Sequence, residues 1–94
     1  MSVDLLSIFF ENCSVENKSS SDIKQRFGKA IRRRRRELDL SQEVLAERAE
    51  LHRTYISSIE RGTRNPSLDN IKRLADALDI SVSQLFANYD IEGN

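Results

Sequence analysis

Apolar positions recur along this chain in steps of three and four, the spacing that places them on one side of a helix. Ile23, Phe27, Ala30, Ile31 and Leu38 share a face from Asp22 onward. Val44, Leu45 and Ala49 point inward in a second, shorter segment, and Ile56 and Ile59 anchor a third. Leu68, Ile71, Leu74, Ala75 and Leu78 form a fourth stripe. A last short segment runs from Val82 to about Ala87. No stretch commits to the two-residue alternation of a strand, and there is no internal repeat.

Polar residues punctuate these stripes. Ser21 or Asp22, Ser41, Ser67 and Ser81 stand where helix N-caps are expected, because a short side-chain oxygen can accept a free N–H of the first turn. Asp69 falls in a first turn that favours negative charge. Ser81-Val82-Ser83-Gln84 reads as a capping box. Glu50-Leu51-His52 makes a turn, Gly62 stops the third helix, Thr63 to Pro66 is a loop, and Asp79-Ile80 is a short turn. The pattern predicts an all-α, five-helix domain over residues 21–88, an N-terminal extension and linker over 1–20, and a tail over 89–94. In the extension, Val3, Leu5, Leu6, Ile8, Phe9 and Phe10 are apolar, and periodicity does not choose between helix and strand. This segment is either a frayed terminus or a docking segment that covers its own core or a partner subunit.

Composition supports the helical reading: the chain has 3 Gly and 1 Pro in 94 residues. Its single cysteine, Cys13, forms no internal disulfide, which points to the reducing cytoplasm. The N-terminus lacks the basic lead of a signal peptide, and its apolar run is too short to span a membrane. The net charge of +0 conceals an asymmetry. Residues 21–40 carry Lys24, Arg26, Lys29 and Arg32 to Arg36 against Asp22, Glu37 and Asp39. The stretch from Asp76 to the end is acidic, with Asp79, Asp90 and Glu92, as is the extension. One positive face suffices for phosphate. Arg34 falls on the apolar stripe, where its stem can pack while its head reaches water. For most of the arginine run, a solvated helix face and phosphate contact stand as equal readings.

The stretch Gln42 to Arg61 meets the demands of a helix-turn-helix. Leu45, Ala49, Leu51, Ile56 and Ile59 are apolar anchors, and Ala46 is the small residue at the crossing. His52, Arg53, Thr54, Ser57, Ser58 and Arg61 remain to face outward. Arg53, at the helix end that enters the major groove, can grip guanine O6 and N7 with its fork. Thr54 offers a hydroxyl and a methyl to adenine or thymine edges; Ser57 and Ser58 complete the expected base-contacting set. Tyr55, Arg61, Arg64 and Asn65 are expected at phosphates, which set register and carry no sequence information themselves. His52 is expected to cap the recognition helix or touch backbone.

Over about residues 22–87 the chain resembles the phage repressor and Cro-like helix-turn-helix family, often called XRE. The resemblance rests on Phe27-Gly28, Ile31, Arg35, Leu40 to Glu43, Leu45-Ala46, Ile56-Ser57, Ile59 to Gly62, Pro66 to Leu68, Leu74-Ala75, Ala77-Leu78 and Leu85-Phe86. It implies a lambda-repressor-like domain. Arg53 to Ser57, Glu60-Arg61 and Arg64-Asn65 further resemble controller proteins of restriction–modification systems. The resemblance implies that Gln42 binds phosphate and braces the recognition helix, and that Arg35 and Glu60 form an ion pair. Two departures are Glu50, where the family has a turn glycine, and Arg34, where leucine is common.

The reading that follows is a homodimeric regulator of transcription on a two-fold operator in double-stranded DNA. Its interface is expected at Ile80, Val82, Leu85 and Phe86, with Tyr89 and Ile91 as further candidates. The alternative is an antitoxin or other protein-interaction module built on the same domain. No nucleophile–base pair, phosphate-cradling glycine loop or metal-ligand spacing points to an enzyme, a cofactor or a small-molecule ligand.

Overall fold

The fold is described by a computed structural model, which covers the backbone of residues 14–92 and the side chains of residues 23–92. The apolar segment Val3 to Phe10 and Cys13 lie outside the described residues. Within them are five helices and no strand: α1 (Ser14–Glu37), α2 (Gln42–Ala49), α3 (Arg53–Glu60), α4 (Leu68–Ala77) and α5 (Val82–Asn88). Helix α1 begins at Ser14 and so runs through the stretch read as a linker. That stretch is polar but holds no glycine or proline, so nothing in it stops a helix from extending.

Three serines cap as their chemistry dictates. Ser41 Oγ accepts from the Val44 N–H at 3.1 Å, Ser67 from Asn70 at 3.1 Å and Ser81 from Gln84 at 3.0 Å. His52 occupies the N-cap position of α3 but makes no side-chain cap bond, so of its two expected roles capping falls away. At the other ends the backbone turns left-handed at Asp39, Glu50, Asp79 and Asp90, with φ between 57° and 60°, and at Gly62 with φ 78°. Glu50, at φ 60° and ψ 42°, donates its N–H to the carbonyls of Ala46 and Glu47. The motif turn therefore closes with a glutamate in the conformation a glycine adopts more cheaply.

The core is built on Ile31, Leu45, Ile56, Ile59, Leu74, Leu78, Leu85 and Ile91, all fully buried. Ile91 belongs to the stretch read as a tail, yet it fills core space. Three residues placed on the apolar stripes are exposed: Ile23 at 40%, on the N-terminal part of α1, and Val44 at 38% and Leu68 at 80%. Val44 and Leu68 each lie in the first turn of a helix, where no facing element covers that side. Ala46 is buried at the α2–α3 crossing. Gly28 is the contact point of α1 with α3, where a Cβ would overlap the Ile59 carbonyl oxygen and lie 2.8 Å from that of Glu60.

Arg34 resolves its odd position by capping. Its Nε donates to the Leu78 carbonyl at 2.9 Å and its Nη2 to that of Asp79 at 3.1 Å. The head thus meets unpaired carbonyls at the end of α4, where positive charge is favoured, rather than water. Beside it the Tyr89 hydroxyl donates to Glu37 at 2.5 Å, and Arg33 lies 5.5 Å above the Tyr89 ring. Burial first, and then Glu37, push the Tyr89 phenol above its usual range. These contacts pin the chain after α5 to α1.

Candidate nucleic-acid interface

Helix α3 is held from behind by a polar brace. Arg35 donates Nε to Glu60 Oε2 at 2.7 Å and Nη2 to Oε1 at 3.0 Å. Its Nη1 donates to the Leu40 carbonyl at 2.8 Å, at the entry to α2. Gln42 Nε2 donates to the same Glu60 Oε1 at 3.0 Å. The carboxylate is only 5% exposed and the guanidinium 12%. The Glu60 hydrogen bond raises the Arg35 pKa above its already high ordinary value, against the opposing effect of burial. One side chain of α1 and one of α2 therefore share a single carboxylate of α3, which fixes the angle of α3 against the other two helices.

The outer face of α3 is polar. Arg53 and Thr54 are exposed in its first turn, and Ser57 is half-buried one turn on. Arg61, exposed at the C-terminal end, donates Nη1 to Ser57 Oγ at 2.6 Å. Arg53 Nε lies 2.9 Å from Glu43 Oε2, with both side chains largely in solvent. Glu43 has its carboxyl pulled below the usual range, first by its own backbone N–H and also by Arg53. Gln42 and Glu43 open α2, so that helix end, with its favourable dipole, stands beside the first turn of α3.

The loop after α3 is fastened rather than loose. Thr63 donates its N–H and its hydroxyl to the Ser58 carbonyl, each at 3.1 Å. Arg64 lies 5.2 Å above the Tyr55 ring and donates Nε to Ser58 Oγ at 3.3 Å. Asn70 of α4 donates to the Tyr55 hydroxyl at 3.0 Å. Tyr55 is thereby half-buried between the loop and α4, while Arg64 and Asn65 remain exposed.

Two expected roles need correction. Ser58 is only 7% exposed and donates its hydroxyl to the Tyr55 carbonyl, so it does not reach a base. The returning loop covers it, a tertiary effect that the α3 pattern alone does not carry. Leu85 is fully buried in its own core and offers nothing to a second subunit, whereas Ile80, Val82 and Phe86 stay half-buried. Phe86 meets Phe27 at 5.9 Å between ring centroids. Three contributors went unnoticed in the sequence: Glu43, which engages Arg53; Thr63, which ties the loop; and Asn70, which holds Tyr55. A signal existed for Glu43 alone, because the motif brings the first turns of α2 and α3 together.

Two short helices locked at a tight turn, the second braced from behind and polar in front, define a helix-turn-helix protein built to meet DNA. A helix-turn-helix family profile matches residues 31–85. The chain belongs to that family, in its XRE-type branch. It is 47% identical over 73 residues to the control protein C.MunI of Mycoplasma sp, a match covering 77% of this chain and 99% of that one. It is similar in structure to the restriction–modification controller protein C.AhdI from Aeromonas hydrophila, with TM-score 0.66, 48% identity, and coverage of 67% of this chain and 96% of that one. The restriction–modification controller protein C.Esp1396I, solved as a tetramer with its natural 35 base-pair operator, matches with TM-score 0.68 and 31% identity, over 71% of this chain and 88% of that one. Among the described residues no helix is long and apolar enough to cross a membrane.

Proposed function

We propose that this protein is a homodimeric transcription regulator that reads a two-fold DNA operator with α3 and controls restriction–modification genes. The observation that carries the reading is the polar outer row of exposed Arg53, Thr54 and Arg61 with half-buried Ser57, on a helix whose back is fixed by Arg35, Glu60 and Gln42. Arg53 and Thr54 meet base edges, Ser57 follows where the helix sits deepest, and Gln42, Tyr55, Arg61, Arg64 and Asn65 hold the phosphates. One recognition helix sees only a few base pairs, so two copies related by a two-fold axis read half-sites about one helical turn apart. The half-buried Ile80, Val82 and Phe86 supply the contact between copies. The likeness to C.MunI, C.AhdI and C.Esp1396I supports the choice of genes. The protein acts where the chromosome lies, in the cytoplasm, and has no catalytic task.

The test is an operator selected from random duplexes, followed by Arg53→Ala. Losing a bidentate guanine contact removes about 1–3 kcal/mol of discrimination at one base pair of each half-site. Competition binding reads this as a flattened preference at that position alone. Unchanged preference there would remove Arg53, and with it the proposed reading edge.

A further inference from the structure

We propose that the outer face of α1 is a second phosphate-binding surface, one that holds the duplex flanking the bases read by α3. The proposal rests on the DNA-binding role of α3 and adds a site to it. Arg26, Lys29, Arg32, Arg33 and Arg36 are all exposed on the side of α1 turned from the core. Lys29, Arg32, Arg33 and Arg36, with Glu37, line a shallow groove of about 540 Å³. Glu37 is already engaged by Tyr89, Arg33 and Arg34. Among the described residues Lys29, Arg32 and Arg36 pair with no carboxylate.

A helix face that serves only solubility mixes its charges. On α4 the exposed Lys72 and Asp76, four residues apart, pair at 2.8 Å. On α1 the same spacing sets Lys29 against Arg33 and Arg32 against Arg36, like-charge pairs that weaken a helix. The fold has no use for that repulsion, and an anion resting across the groove relieves it.

The chemistry of the row selects phosphate. Four of the five cations are arginines, whose planar forks match phosphate oxygens in pairs. From Lys29 to Arg36 the row rises about 10 Å along the helix, a line of charge that suits a nucleic-acid backbone. Its position suits the duplex already held by α3. Gly28 touches the end of α3, and Gln25 abuts Gly62 just beyond it. At about 100° per residue Arg32 lies within about 40° of Gly28 around the helix. The row thus begins on the side of α1 that meets α3 and turns away from there, extending the cations Arg61 and Arg64 around the molecule.

The experiment compares the full chain with a Lys29→Ala/Arg32→Ala/Arg36→Ala variant, whose substitutions are exposed and favour helix. Affinity is measured against salt on two duplexes sharing one operator. One is trimmed to the bases read, and the other is extended by about ten base pairs on each side, one helical turn. The wild-type chain is expected to show a log–log salt slope steeper on the long duplex by about 5, from three contacts in each of two subunits at about 0.9 per phosphate contact. The variant is expected to lose that increment, keeping its base preference and its slope on the short duplex. Equal slopes for the two proteins on the long duplex overturn the proposal, and are the result if the face is merely solvated or receives an acidic protein. An equal loss on both duplexes overturns the flanking placement. Absence of base preference in the wild-type chain is a failure of the α3 reading, visible before the variant is used; the salt slopes still judge α1. An Arg32→Gln/Arg36→Gln variant repeats the comparison if thermal unfolding shows the triple variant misfolded.

Discussion

Arg53 meets Glu43 most closely through its Nε, 2.9 Å from Oε2, which sets the direction in which the rest of the fork points. The pair lies in solvent and adds little to folding, so its effect belongs to binding. Glu43→Gln is expected to raise affinity for any duplex, since a negative charge leaves the phosphate face. Discrimination at the base met by Arg53 should fall by up to about tenfold, because the fork is no longer aimed. Parallel measurements on operator and random duplex separate the two effects. The depressed Glu43 pKa gives the matching pH trend. The carboxylate is charged at neutrality, and the pair is lost as pH falls through the lowered value. Glu60 is different, being shielded and shared by Arg35 and Gln42. Glu60→Gln leaves the Arg35 charge without its counter-ion, with an expected loss of about 3–5 kcal/mol. Urea titration reads that loss as a lower midpoint at unchanged slope.

At the scale of the helices, the boundaries of α2 to α5 follow local chemistry and were readable from the sequence, whereas α1 starts at Ser14, ahead of the cap expected at Ser21 or Asp22. Ser41, Ser67 and Ser81 cap with their own oxygens, and Gly62 turns left-handed where a glycine is easiest. What escaped depends on neighbours distant in sequence. Ser58 is buried because a loop returns over it, Ile91 because the chain after α5 folds back, and Arg34 finds its carbonyls 44 residues away. Val44 and Leu68 carry the right residue type for a stripe but sit at helix starts that nothing covers. In the site, the exposed arginines followed from motif spacing and the braced glutamate from the family resemblance; the Arg53–Glu43 pair needed the geometry. The turn at Glu50 offers a test at this scale. A left-handed non-glycine residue is strained by about 1–2 kcal/mol. Glycine relieves that strain but adds about 0.5–1 kcal/mol of unfolded-state entropy. Glu50→Gly also forfeits the exposed pair with Arg73 at 3.3 Å. The expected net gain is at most about 1 kcal/mol, seen as a small rise in melting temperature with DNA affinity unchanged.

For the whole molecule, the acidic chain after α5 folds back against the basic α1, and the half-buried Ile80, Val82 and Phe86 give the proposed site of self-association. Val82→Asp is expected to halve the mass seen by sedimentation. Operator binding should then weaken at least about 100-fold, because two half-sites no longer act as one tethered pair. Binding to a single half-site should remain, which separates lost pairing from lost folding. One further consequence comes from Tyr55. The chain holds 2 tyrosines and no tryptophan. Tyr89 reports on the α1–α5 end, and Tyr55 sits under Arg64, the arginine assigned to phosphate. In a Tyr89→Phe chain the ultraviolet emission would come from Tyr55 alone. When Arg64 leaves the ring for a phosphate, that emission changes, so the protein carries an optical gauge of its own engagement and needs no attached dye.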